Sequence, residues 1–356
     1  MSSDTSAFDF TQGPACPIPI SDYPYILLAH GGGGKLTQHL IEKMFVPQFK
    51  NDELAHLHDG AIVELGGVRI ALSTDSYVVK PIVFPGGSIG ELAVNGTVND
   101  LAMCGARPSH LSAAFILEEG FPIEDLWNVV LAMQRAAQAA GVLLVTGDTK
   151  VVDRGNGDGI FINTSGIGLV REGTNIRPER AQPGDVIIVN GPIAEHGMAI
   201  MSVREGLEFE TQIRSDTRPL NGLTDVMLDV CPDIHVLRDP TRGGVASATN
   251  EIAKAAGVGI FLDETAIPIP EEVRGACEIL GFDPLYVANE GKLLAFVPPT
   301  HARTVLAAME KHSAGKGSTI IGRVVPEHPG IVVMKTSIGG TRVVDMLSGE
   351  QLPRIC

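Results

Sequence analysis

Two short runs of alternating apolar residues, Ile62–Leu65 and Arg69–Ser73, stand on either side of Gly66-Gly67. That arrangement predicts a β-hairpin whose second strand runs on into Thr74-Asp75-Ser76. Ser88-Ile89-Gly90-Glu91 has the form of a capping box, and the helix it starts should reach about Cys104, where Gly105 and Pro108 stop it. A strand is expected over Ser112–Glu118 and a helix from about Pro122 to Ala140, ended by Gly141. Apolar strands follow over Val142–Thr146 and Ile160–Val170. Upstream, Leu36–Phe45 reads as a helix. Residues 1–25 are rich in Ser, Asp, Thr and Pro, lack periodicity, and read as a mobile arm.

Near Arg180-Ala181-Gln182-Pro183-Gly184 the pattern restarts, which divides the chain into domains at 26–180 and 181–345. In the second, strands are predicted at Asp185–Val189, Val258–Leu262, Leu293–Val297, Thr319–Val324 and Ile331–Lys335. Helices are predicted around Glu195–Glu205, from Gly243-Gly244 to about Ala256, and at Glu271–Leu280 and His301–His312. Strands and helices mixed through both halves predict a two-domain protein of α/β and α+β character. Residues 346–356 carry Gly349 and Pro353 without periodicity and are expected to form a free tail.

Composition narrows the function. A chain of 356 residues fits two domains, and 42 acidic against 27 basic residues, a net charge of −15, make a poor polyanion binder. No apolar run approaches the ~20 residues that span a bilayer, and no signal peptide opens the chain. The five cysteines, Cys16, Cys104, Cys231, Cys277 and Cys356, form no CxxC pair and are odd in number, which points to a reduced, cytoplasmic protein.

His30-Gly31-Gly32-Gly33-Gly34-Lys35 offers bare amides that suit an anionic group; a hinge is the other reading. It is no Walker A loop, which would need Gly at Ala29 and Ser or Thr at Leu36. Aspartates mark the ends of apolar strands: Asp59, Asp75 and Asp148. Asp100 joins them from the helix, where Asn95 and Asn99 share one face. Singly, each aspartate reads as a cap or turn residue; together, beside a glycine loop, they suit a hard divalent cation bridging phosphates. Asp239-Pro240-Thr241-Arg242-Gly243-Gly244 repeats the theme with a carboxylate, a guanidinium and bare amides before a helix. Glu290, in Asn289-Glu290-Gly291-Lys292, could form an ordinary surface pair, and Lys150 is a flexible cation placed to meet a phosphate.

The chain ends Pro353-Arg354-Ile355-Cys356, with no residues after the cysteine for a prenylation box. The adjacent terminal carboxylate should raise the thiol pKa, which suits a carrier loaded by another enzyme better than a fast nucleophile. The other cysteines lie in or near apolar segments.

These motifs together closely resemble the HypE family of hydrogenase maturation proteins, over about Leu27 to Cys356. The terminal Pro-Arg-x-Cys is the most specific element; the N-terminal arm with Cys16 lies outside the resemblance. The family belongs with aminoimidazole ribonucleotide synthetase, selenophosphate synthetase and thiamine-phosphate kinase. The resemblance implies an N-terminal α/β domain whose strands pair with a second copy's into a dimer-spanning barrel, and a C-terminal α+β domain. ATP would lie in the cleft, bound through His30, Gly31, Gly32, Gly33, Gly34, Asn95, Asn99, Thr149, Arg242, Gly243 and Gly244. Mg²⁺ would be held by Asp59, Asp75, Asp100, Asp148 and Asp239. Cys356 would receive a carbamoyl group from the transferase HypF. ATP-dependent dehydration, with Glu290 and Lys150 as base or proton relay, would give a thiocyanate, whose cyano group passes to iron on the HypC–HypD scaffold for [NiFe]-hydrogenase. A metabolite kinase or synthetase of the same superfamily would share the aspartates but have no use for the terminal cysteine. A selenophosphate synthetase would carry a reactive Cys in the glycine-rich stretch, which here has none. A non-enzymatic carrier would leave the aspartates unexplained.

Overall fold

In the computed structural model, residues 24–207, 212–349, 352 and 354–356 are described; Cys16 and nearly all of the expected N-terminal arm lie outside them. After the glycines, α1 (Lys35–Leu40) continues through a π turn at Ile41–Phe45. The hairpin forms as β1 (Ala61–Leu65) and β2 (Val68–Tyr77), in antiparallel register with Leu65 opposite Val68. Helix α2 (Ile89–Met103) is capped by Ser88, whose Oγ accepts from the Gly90 amide and donates to the Glu91 carboxylate.

The strand predicted from Ser112 is longer. As β3 it runs Ala106–Glu118, passing through Pro108 with a register shift, so proline bends the strand instead of ending the fold of that segment. Helix α3 (Ile123–Ala140) ends at Gly141 as expected. Strand β4 covers Leu143–Val152, well beyond Thr146, and β5 covers Ile160–Val170. The five strands order β1-β2-β5-β3-β4, antiparallel except for the β3–β4 pair, with α2 and α3 packed on one face.

The second domain is a seven-stranded mixed sheet. Its strands are β6 (Val186–Val189), β7 (Val236–Arg238), β8 (Gly259–Asp263), β9 (Leu294–Val297), β10 (Thr319–Val325), β11 (Val332–Lys335) and β12 (Thr341–Val344), ordered β12-β11-β8-β10-β6-β9-β7. Its helices are α4 (Glu195–Arg204), α5 (Asn221–Val230), α6 (Gly244–Ala256), α7 (Glu271–Leu280) and α8 (Ala302–Lys311). Central strands β6 and β9 are buried along almost their whole length, which accounts for their unbroken apolar runs. Among the described residues no helix is long and apolar enough to cross a membrane.

The tail is not free in this structure. Met346, Leu347 and Ile355 are buried and Cys356 is half-buried in the cleft between the domains. Aperiodic sequence predicts no helix or strand, yet three apolar side chains are enough to seat it.

Candidate functional site

The turn before β1 supplies Asp59, β2 supplies Asp75, α2 supplies Asp100, and the loop leaving β7 supplies Asp239 and Arg242. The domains bring these four carboxylates within electrostatic reach of one another. Burial is the main cause that raises each pKa, and Asp239 and Asp75 raise Asp100 further. Asp239 is pushed up to about 6, burial again leading. Two guanidiniums oppose this: Arg238 lies 2.9 Å from Asp59, and Arg242 lies 3.8 Å from Asp75. Ser73 Oγ donates to Asp100 at 2.5 Å.

The cluster is short of positive charge, and Asp59 Oδ2 and both ring nitrogens of His58 are buried without a hydrogen-bond partner. Burying this many carboxylates costs several kcal/mol unless counter-charge arrives. An all-oxygen, anionic donor set fits a hard divalent cation. Among the described residues no three His, Cys, Asp or Glu side chains form a group able to hold a metal ion alone. Carboxylates that do not close a shell by themselves are compatible with the way Mg²⁺ is usually held, by one or two carboxylates with phosphate and water completing the shell.

The glycine segment lies against Arg242 and the root of the tail. A Cβ on Gly33, whose φ is +71°, would stand 2.7 Å from Arg242, and one on Gly34 would stand 2.4 Å from the Leu347 carbonyl. Arg242 Nη1 donates to the Gly31 carbonyl at 3.3 Å. His30 Nδ1 accepts from the Leu27 amide at 3.0 Å. On one side of this segment a cavity of about 350 Å³ is lined by Gly31, Gly32, Ser76, Arg242, Gly243 and Cys356. On the other, a cavity of about 480 Å³ is lined by Gly33, Gly34, Thr37, Leu57, His58 and Ile252, among others.

Glu290 is buried and shares a hydrogen bond with the Cys356 thiol. Burial first, then Asp75, Asp239 and Asp216, raise its pKa well above the usual carboxyl value. The thiol is likewise raised, by burial and then by Glu290, with Arg242 opposing. The direction agrees with the sequence reading, but its source is the cleft more than the terminal carboxylate. The Glu290 amide donates to Asp216 Oδ1 at 3.0 Å, and Gly291 allows the close approach, since a Cβ there would meet the Asp216 carbonyl at 1.9 Å.

Other candidates are not brought here. Asn95 and Asn99 are buried and engaged at the domain junction: Asn95 Nδ2 donates to Thr217 Oγ1, and Asn99 bonds the Arg218 and Glu290 carbonyls and the Leu220 amide. Their helical face serves domain packing: Asn99 has both ends of its amide engaged, whereas Asn95 Oδ1 is buried without a hydrogen-bond partner. Asp148, Thr149 and Lys150 sit on β4, where every residue from Leu143 to Val151 is exposed. Lys150 Nζ pairs with Asp148 at 2.6 Å, which lowers the Asp148 pKa, and neither touches the cluster of its own chain. The expected fifth metal ligand is thus separate within one chain, because β4 outruns its predicted end and carries Asp148 onto the open sheet. Sequence reasoning missed Asp216, His196 and Arg238, and it read Lys292 as one half of an ordinary surface pair with Glu290, whereas Lys292 is buried against Glu195 and Asp216. All are buried or nearly so, and polar residues set in apolar segments, such as His196 within Ile193–Met201, were the available signal.

Comparison with known proteins places the chain. The family profiles "AIR synthase related protein, N-terminal domain" and "C-terminal domain" match residues 57–170 and 182–335. The chain is 53% identical over 329 residues to carbamoyl dehydratase HypE of Azotobacter vinelandii, covering 92% of this chain and 96% of that protein. To the Escherichia coli K12 HypE it is 46% identical over 336 residues, covering 93% and 99%. A solved HypE–HypF complex superposes with a TM-score of 0.83 at 50% identity, covering 86% of this chain and 99% of that one. HypE in complex with ATP does so at 0.79 and 47%, covering 93% and 100%.

Proposed function

The chain belongs to the AIR synthase related proteins and, among them, to the HypE carbamoyl dehydratases, and from that membership we propose how its own residues carry out the ATP-dependent dehydration of S-carbamoyl-Cys356 to the thiocyanate. The observation that carries the reading is the terminal thiol, hydrogen-bonded to Glu290 inside a cavity lined by the glycine segment and Arg242.

The carbamoyl oxygen leaves poorly until the γ-phosphoryl group of ATP is transferred to it. Gly31, Gly32 and Arg242, which line the cavity that holds Cys356, would bind that group and offset its charge. Elimination of phosphate then forms C≡N as both N–H protons depart; ADP, phosphate and one net proton balance the step. Carbamoylation replaces the S–H that Glu290 engages with a group that ends in N–H donors. The raised basicity of Glu290 suits it to take one of those protons. We place the nucleotide base in the 480 Å³ cavity, with the phosphates running over the glycine segment toward Cys356. Asp59, Asp75, Asp100 and Asp239 would hold Mg²⁺, which neutralises phosphate charge when bound.

The open face of the first sheet bears exposed Leu72, Ile116, Ile167 and Leu169, with Leu72 directly opposite Ile167. An apolar sheet face of this extent calls for a cover, and a second copy of the chain is the cover we propose. In that homodimer Lys150 and Asp148 of one protomer serve the site of the other, which gives Lys150 its relay role. HypF loads the thiol, the HypC–HypD scaffold accepts the cyano group, and the free thiols at Cys104, Cys231, Cys277 and Cys356 suit the cytoplasm.

The test is to incubate the protein with HypF, carbamoyl phosphate and Mg²⁺-ATP and weigh the C-terminal peptide. Carbamoylation followed by ATP-dependent loss of one water is expected. Carbamoylation that persists would make the protein a carrier, and an unmodified peptide would refute both.

A further inference from the structure

Beyond Glu290, one chain of contacts controls where the thiol stands, and none of its members touches the reacting atoms. His196 is fully buried at the start of α4, its ring set edge-on against Phe84 at 5.5 Å between centroids. Its Nε2 lies 2.7 Å from the carbonyl of Ile355, the residue before the reacting cysteine. A carbonyl only accepts, so Nε2 carries the proton, and Nδ1 must then accept from Ser215 Oγ at 2.8 Å. Burial lowers the pKa of His196, which keeps this neutral, two-sided form in place.

Ser215 is itself fixed. Its amide donates to the Pro85 carbonyl at 2.7 Å, and Gly86 is bare where a Cβ would stand 2.7 Å from the Ser215 amide and carbonyl. The next residue, Asp216, receives the Glu290 amide and faces buried Lys292 at 3.5 Å. One dipeptide thus braces the ring that holds the tail and the backbone that holds the base. Two further contacts hold the neighbouring carbonyl, that of Arg354: the Lys80 amide at 3.3 Å and the Arg204 guanidinium.

We propose that His196 is a positioning residue for the dehydration: oriented by Ser215, it grips the Ile355 carbonyl and sets Cys356 in register with Glu290. The proposal rests on the reading of Cys356 and Glu290 given above. It deepens that reading by making thiol placement depend on a neutral imidazole that binds the backbone one residue before the reacting cysteine.

Two measurements on the full-length protein test it. The first needs no turnover: alkylation of Cys356 by iodoacetamide, followed by the mass of the C-terminal peptide. His196→Phe keeps the ring volume but loses the donor, and should expose the thiol and raise the alkylation rate about tenfold. His196→Gln, which can return an N–H near the Nε2 position, should restore most of the protection. The second is single-turnover dehydration of protein preloaded by HypF, expected to slow at least tenfold in His196→Phe and recover in His196→Gln, with the KM for ATP unchanged. A general loss of packing would move that KM as well. Ser215→Ala, which keeps the imidazole, should give an intermediate effect of about threefold and serves if His196→Phe fails to fold. Unchanged alkylation in both His196→Phe and Ser215→Ala would overturn the proposal, as would unchanged dehydration. If alkylation rises as expected while the wild-type protein never dehydrates its carbamoyl group, the anchor stands and the reaction assigned above falls.

Discussion

Asp75 and Asp148 belong to strands of one sheet, and in sequence each follows an apolar run, yet the fold treats them in opposite ways. Asp75 is turned into the domain junction with Asp59, Asp100 and Asp239, and burial raises its pKa. Asp148 stands on the exposed strand β4 beside Lys150, and that cation lowers its pKa. The first environment is short of positive charge; the second is an ion pair on an exposed strand. A carboxylate's part in phosphate chemistry is thus decided by what surrounds it after folding, not by its place at a strand end.

The largest effect should come from the base in the buried region. Glu290→Gln is expected to slow dehydration about 100- to 10,000-fold while leaving Cys356 open to carbamoylation, read by peptide mass; dehydration within tenfold of wild type would remove Glu290 from the mechanism. Mixed dimers separate the two regions next. Subunits carrying Lys150→Met and subunits carrying Glu290→Gln, each inactive alone, should regain about half the wild-type activity together, because one site then has both groups intact. Asp75→Asn should lower ATP turnover about 100-fold and should not be rescued by the Glu290→Gln subunit, since both residues belong to the same chain's site. Equal rescue of both pairs, or of neither, would erase the distinction drawn between the strands.

A smaller effect concerns stability. The buried carboxyls have folded-state pKa values above their unfolded ones, so their contribution is complete below about pH 4 and is lost as pH rises through the folded values. For Asp239 the rise from 3.8 to about 6 corresponds, at about 1.4 kcal/mol per pH unit, to a loss on the order of 2–3 kcal/mol. Metal-free protein should therefore lose thermal stability between about pH 4 and pH 7 by the order of several degrees, and Mg²⁺ should restore it; identical melting profiles with and without Mg²⁺ would contradict this. The smallest effect belongs to a half-exposed pair. Arg354→Ala, which removes the contact with Asp158 at 2.8 Å, should change stability by less than about 1 kcal/mol, measured by chemical denaturation.

Much of this was legible in the sequence. Helix α7 occupies the residues its apolar period marked, and α2 starts at its predicted cap. The residues Asp59, Asp75, Asp100, Asp239, Arg242 and Glu290 do converge. What stayed hidden depends on long-range packing. Asn95 and Asn99 share a face as expected, but what they meet, residues 217–220 and Glu290, lies more than a hundred positions away. Strand β4 outruns Thr146 because its pairing with β3 continues, and pairing is invisible to a local pattern. Helix α5 and the short strands β7 and β12 lacked a period strong enough to read. Ser215 and His196 carry no motif; only the folded chain shows them joined to Ile355.

The bond from the Lys35 amide to the Leu347 carbonyl, 2.9 Å long, pins the root of the tail beneath the glycine segment. Beyond that pin nine residues remain, 348–356, and fully extended at about 3.3–3.6 Å each they reach about 30 Å. The thiol therefore has a tether of fixed length. Any protein that loads or unloads it must bring its own reactive centre within that radius of Leu347, so the cargo changes hands only inside a docked complex, and the geometry of those complexes is bounded by the length of this one segment.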